Sequence, residues 1–149
     1  MSIFTALNTS ASGMTAQQFR MDVISQNIAN VDTTRTEDGT PYRRKTVVFA
    51  EKSNSRLASF SNVLTAATRN IAGHGVKVTR VVEDTKTAMK KTYDPSHPDA
   101  DENGYVTYPN VNPVTEMTNL IDATRSYEAN ITSFNATKAM LAKGLEVGK

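Results

Sequence analysis

The run NVNPVTEMTNLIDATRSYEANITSFNATKAMLAKGLEVGK, residues 110–149, decides the fold. With Met117 at heptad position a, the a positions are Met117, Thr124, Ile131, Lys138 and Leu145, and the d positions are Leu120, Tyr127, Phe134 and Leu141. Seven of these nine side chains are apolar or aromatic, so one face of a helix forms a seam that needs a partner. Asp122, Arg125, Glu128, Asn130 and Lys143 fall between and suit a solvated or assembly-facing side. No Pro or Gly interrupts Val114 to Lys143, and Pro113 followed by Thr115 and Glu116 reads as a helix start.

The stretch able to supply the partner is residues 1–31. Here Leu7, Met14, Met21 and Ile28 take position a, while Ile3, Ser10, Gln17, Ile24 and Val31 take d. Ser10 and Gln17 weaken that seam, while Ala6, Ala11, Ala16 and Ala29 allow close helix approach. Gly13 costs roughly 1 kcal/mol inside a helix and marks a local weakness. Asn30, Asp32 and Thr33 compete for backbone hydrogen bonds and end the helix near Asn30. Both seams carry polar breaks, at Ser10, Gln17, Thr124 and Lys138, so the pair is marginal alone and is expected to gain order from neighbouring subunits.

Between the helices, Tyr42–Phe49, Val76–Val82, Thr87–Tyr93 and Tyr105–Tyr108 read as strands, rich in aromatic and β-branched residues. Residues 50–74 are Ser- and Asn-rich, yet Leu57, Phe60, Leu64, Ala67 and Ile71 recur at helical spacing; a loop is preferred over a weak helix. The fold class expected is therefore α+β. Residues 1–31 and 110–149 form one helical-pair domain packed as a coiled coil, and residues 32–109 form a small β-rich module with a flexible segment at about 50–74.

With 38% hydrophobic residues and no Trp in 149 residues, a single large core is not expected. Net charge is +2, too balanced for a dedicated nucleic-acid surface. The absence of cysteine excludes disulfides and thiolate metal sites. The N-terminus lacks the basic and apolar regions of a cleavable secretory signal, and no run is long enough to span a membrane.

Motifs for chemistry are missing. The loop with Asp94, His97, Asp99, Asp101 and Glu102 lacks the spacing of a calcium loop and is read as a solvated loop. His74 has no identifiable carboxylate or serine partner. Arg43, Arg44 and Lys45 form a basic triplet, read as a solvated strand face in preference to a nucleic-acid or acidic-lipid contact. Met14, Met21, Met117 and Met140 are read as packing residues, and the Asn-x-Ser/Thr triplets at Asn8, Asn130 and Asn135 fall inside expected helices. No cofactor or metal is expected, and an assembly role leads over catalysis.

Particular words then become recognisable. Ser12-Gly13-Met14-Thr15-Ala16-Gln17-Gln18, followed by Met21 through Thr33 (MDVISQNIANVDT), resembles the N-terminal signature of bacterial flagellar rod and hook proteins. Thr33-Thr34-Arg35-Thr36, Pro41 through Lys45, Tyr93 through Asp101, Gly104 through Asn112, and Arg125-Ser126-Tyr127-Glu128-Ala129-Asn130 bring the resemblance closer to the proximal-rod members of that family. It covers nearly the whole chain except residues 51–71, which are longer and richer in Ser and Asn than the family pattern.

The resemblance implies a non-enzymatic structural subunit of the rod, part of the drive shaft. It would be exported unprocessed by the flagellar type III apparatus and assembled in the periplasm with other rod proteins and copies of itself, without nucleic acid or stable membrane insertion. The helix-pair and assembly interface is expected at Leu7, Met14, Met21, Ile24, Asn27, Ile28, Asn30, Met117, Leu120, Tyr127, Ile131, Phe134 and Leu141. Asn27 and Asn30 either cap the helix locally or cross-link neighbours. The rival reading is an amphipathic-helix protein that binds anionic membrane or nucleic acid through Arg43-Arg44-Lys45.

Overall fold

A computed structural model of the chain describes residues 3–52 and 75–147. Their order is α1 (Ile3–Ala29), β1 (Lys45–Glu51), β2 (Val76–Glu83), β3 (Lys90–Tyr93), β4 (Tyr105–Tyr108) and α2 (Pro113–Val147). The class is α+β, as the sequence led one to expect. From residue 53 onward, the stretch read as a loop at 50–74 lies outside the described residues.

Ser, Thr and Asn are frequent in both helices, and within them the threonine hydroxyls are satisfied by bonding back to the preceding turn. Thr9 donates to the carbonyl of Thr5, Thr15 to Ala11, Thr118 to Val114 and Thr132 to Glu128. The start of α2 is capped: the side-chain oxygen of Asn112 accepts the backbone N–H of Val114 at 3.0 Å, and Pro113 follows it. Where α1 ends, Asn30 N–H reaches the Gln26 carbonyl and Asn30 Nδ2 bonds the same oxygen.

The strands form two two-stranded sheets, β1 with β2 and β3 with β4. β3 and β4 are antiparallel, with Lys90 opposite Tyr108 and Tyr93 opposite Tyr105. Two strands start later than the composition suggests. β1 begins at Lys45 rather than Tyr42, because Tyr42 and Arg44 are drawn into bonds with the helices. β3 begins at Lys90 rather than Thr87, because the Asp84 carboxylate folds Lys86 and Thr87 into a turn around itself.

The chain divides into two compact units. One comprises Met1–Gln18, Phe49–Thr79 and Thr124–Lys149, and the other Phe19–Val48 and Arg80–Ala123. In the first unit, Ser10 meets Ser133 and Gly13 lies against Asn130, so the two helical segments run antiparallel. Among its described residues the buried side chains are small or polar: Ser10, Ala16 and Thr137. A Cβ on Gly13 would stand 2.7 Å from Asn130 Oδ1, so this glycine is what close approach demands rather than a weak point. Ser12, beside it, accepts the Val76 N–H at 3.1 Å and anchors the start of β2.

The second unit has an apolar core of Val23, Ile24, Tyr42, Val106 and Ala123. It also buries three polar side chains, Asn27, Asn110 and Glu116. Those three define the site described next.

Candidate functional site

Asn27 stands in the last turns of α1 and is fully buried, and burying an amide is tolerable only when its hydrogen bonds are made. All four are. Its Nδ2 donates to the Lys45 carbonyl and to Glu116 Oε2, each at 2.8 Å. Its Oδ1 accepts the Lys45 N–H and the Tyr42 hydroxyl, each at 2.9 Å.

Glu116 sits in the first turn of α2, where the helix dipole favours a carboxylate, and is 1% exposed. Its Oε1 accepts Arg44 Nη2 at 2.7 Å, Arg44 Nε at 2.9 Å and Asn119 Nδ2 at 3.3 Å. The Arg44 backbone is held as well: its N–H goes to Asn110 Oδ1 at 2.8 Å and its carbonyl accepts the Asp84 N–H. Asn110 Nδ2 in turn donates to the carbonyls of Asp84 and Thr87. The end of α1, the entry to β1, the turn after β2 and the start of α2 are thus tied at one polar knot.

Electrostatics follow from the burial. Removal from water, reinforced by the Glu83 and Glu116 carboxylates, pushes the Tyr42 hydroxyl above its ordinary range and keeps it a neutral donor. The Lys45 ammonium lies 5.5 Å from the centre of the Tyr42 ring. Arg44 is therefore committed within the molecule, and the reading of residues 43–45 as a solvated strand face is corrected for it. The knot has the saturation of a structural joint: its acceptors already hold their donors, which fixes orientation and leaves little room for proton transfer.

A separate cleft of about 360 Å³ lies between the 34–41 loop and the 98–107 segment, lined by Thr34, Arg35, Asp99, Asp101, Tyr105 and Thr107 among others. Thr34 Oγ1 donates to Asp99 at 2.8 Å, and Asp101 Oδ1 accepts the N–H groups of Asn103 and Tyr105. The acidic loop is thus folded by hydrogen bonds of its own and to Thr34, with Asp101 and Glu102 exposed to solvent. Among the described residues no group of three or more His, Asp or Glu could hold a metal ion, and no helix is long and apolar enough to cross a membrane.

Of the residues expected at the interface, Ile24 and Asn27 are buried. Leu7, Met14, Met21, Ile28, Asn30, Leu120, Tyr127, Ile131, Phe134 and Leu141 are half-buried, and Met117 is 54% exposed. The fully buried line of α2 passes through Glu116, Ala123 and Thr137, each one residue ahead of an expected a position. Asn27 cross-links segments of its own chain, whereas Asn30 bonds only locally, to Gln26 and Thr33. Tyr42, Arg44, Asn110 and Glu116 were not singled out by periodicity. Their signal was a Glu in the first turn of a capped helix and an Arg flanking a strand, which become partners only in three dimensions.

Two family models match the chain: flagella basal body rod protein over residues 7–35, and flagellar basal body rod FlgEFG protein C-terminal over residues 102–147. The chain is 50% identical to the flagellar basal-body rod protein FlgC of Bacillus subtilis, over 100% of both chains. It is 44% identical to that of Borreliella burgdorferi over 99% of this chain and 98% of the relative, and 39% identical to that of Salmonella typhimurium over 100% of each.

Proposed function

From the chain's membership of the FlgC family of flagellar basal-body rod proteins, which makes it a structural subunit of the rod, we propose that it occupies the proximal rod and transmits torque there, assembling through the outer faces of its two terminal helices. The observation that carries this is a stripe on α2. Val114, Met117 and Ile121, at helical spacing on one side, are 71%, 54% and 54% exposed in the single chain. Exposed apolar residues lined up on a helix mark a surface awaiting a partner. Phe4, Met140 and Leu145 extend this supply of uncovered apolar surface toward the helix ends.

In this reading the neighbours are other rod proteins and further copies of the chain, reached through the flagellar type III export apparatus without cleavage of a signal, and the site is the periplasmic part of the rod. The helical pair of residues 1–31 and 110–149 contributes Leu7, Met14, Met21, Ile24, Ile28, Leu120, Tyr127, Ile131, Phe134 and Leu141 to helix pairing, and Met117 to the outward stripe. Catalysis plays no part. The rival reading through residues 43–45 loses support, because Arg44 is spent on Glu116.

The test is incorporation. A tagged chain expressed in cells lacking the native subunit should appear in isolated basal bodies and restore swimming. Ile121→Asp should leave the free subunit's helical circular dichroism intact yet keep it out of basal bodies, because an ionised side chain cannot be buried there unpaired. Normal incorporation of Ile121→Asp would overturn the assignment of this face.

A further inference from the structure

The knot around Glu116 is more than a device for folding. Force applied to the strands of the second unit reaches its helical segments covalently through two irregular connections, residues 30–44 and 109–112. Loops of that kind bend and twist. The knot bypasses both: Glu116 at the start of α2 grips Arg44, at the entry to β1, by 2.7 and 2.9 Å bonds, and grips Asn27, near the end of α1, by a 2.8 Å bond. Asn110 holds the Arg44 backbone from the second connection and bonds the turn after β2.

Apolar packing resists separation but allows side chains to slide and rotate. Directional bonds among buried groups fix rotation too, because any twist leaves a charge or an amide unpaired in a low-dielectric site. A joint that must hold angle under torsion calls for such bonds. With 25% of the Arg44 side chain and 1% of Glu116 exposed, water offers little substitute on the Glu116 side.

Resting on the reading of the chain as a rod subunit, we infer that Glu116 and Arg44, with Asn27 as the third member, are positioning residues that couple the β strands rotationally to the helices, so that the assembled rod stays stiff under load. Arg44→Lys keeps the charge and loses the guanidinium fork, and Glu116→Gln keeps the size but loses the charge and one of the two acceptors, so that an amide N–H meets the Asn27 or the Arg44 donor. Both variants weaken the knot, so they are compared in cells whose basal bodies contain them: there they should swim in dilute buffer but lose swimming at a medium viscosity that wild-type cells still tolerate. Arg35→Ala, which cuts a more exposed ion pair to Asp99 at 3.8 Å in the same unit, should follow the wild-type curve.

Wild-type dependence of speed on viscosity in both incorporated variants would overturn the inference. So would unfolding of both free subunits and their absence from basal bodies, since the knot would then serve folding alone. Absence of the unaltered tagged chain from basal bodies sinks the rod reading instead, and is distinguishable from either result.

Discussion

Asn27 of α1 and Glu116 of α2, 89 residues apart in sequence, are joined by a 2.8 Å hydrogen bond from Nδ2 to Oε2 with both side chains buried. Asn27→Ala removes partners from Glu116, Tyr42 and both backbone groups of Lys45 at once. We expect a loss of about 3 kcal/mol in denaturant unfolding of the free subunit. Asn27→Asp should be worse at neutral pH than in acid, because two facing carboxylates cannot both ionise and protonation of one restores a donor. A loss independent of pH would contradict this account of the pair.

Tyr42 provides a gentler probe. Tyr42→Phe deletes the 2.9 Å bond to Asn27 Oδ1 but leaves that oxygen its Lys45 N–H, so the cost should be about 1 kcal/mol. The hydroxyl titrates above its ordinary value of 10.0 in the folded chain. Its contribution is thus present below pH 10 and lost as pH rises through the folded value. Alkaline unfolding curves should show this loss in the wild type and not in Tyr42→Phe.

Gly13 tests the close approach in the first unit. Gly13→Ala gains about 1 kcal/mol of helix propensity, yet its new Cβ meets Asn130 Oδ1 at 2.7 Å while Asn130 Nδ2 is held by the Ser126 carbonyl. Overpacking of this kind costs about 1 to 3 kcal/mol, so net destabilisation is expected. Adding Asn130→Ala should recover part of it. A double-mutant cycle measured by thermal unfolding reads the coupling directly, and strict additivity would disprove the contact.

Acid sensitivity has an identifiable contributor in Asp84. The Thr87 hydroxyl, then the N–H groups of Thr87 and Lys86, hold its carboxyl below the usual carboxylate range. The contribution to stability is therefore present above the ordinary value of 3.8 and is lost as pH falls through the lower folded value. Thr87→Val should bring the Asp84 titration, followed by NMR, back toward the ordinary value. An unchanged titration would rule out the hydroxyl as its main cause.

Much of the architecture was legible in order along the chain. Heptad spacing and Pro113 followed by Thr115 and Glu116 located α2, the helical spacing from Leu7 to Ile28 located α1, and β-branched runs located the strands, because each signal lies within a few residues of the element it specifies. The words around Ser12-Gly13 and Met21–Thr33 carried the family. Exact strand starts were less legible, since Tyr42 and Thr87 have strand-like composition but are captured by Asn27 and Asp84.

What tertiary structure alone decided is the side of each helix that turns inward and the partners of its polar residues. By hydrophobicity Met117 outranks its neighbour Glu116 as a core residue, yet Glu116 is buried and Met117 faces outward. The physical reason is that a carboxylate's place is set by whether Arg44 and Asn27 are waiting for it, a fact spread over 89 residues of chain, whereas leaving one apolar side chain outside costs far less than burying a charge unpaired.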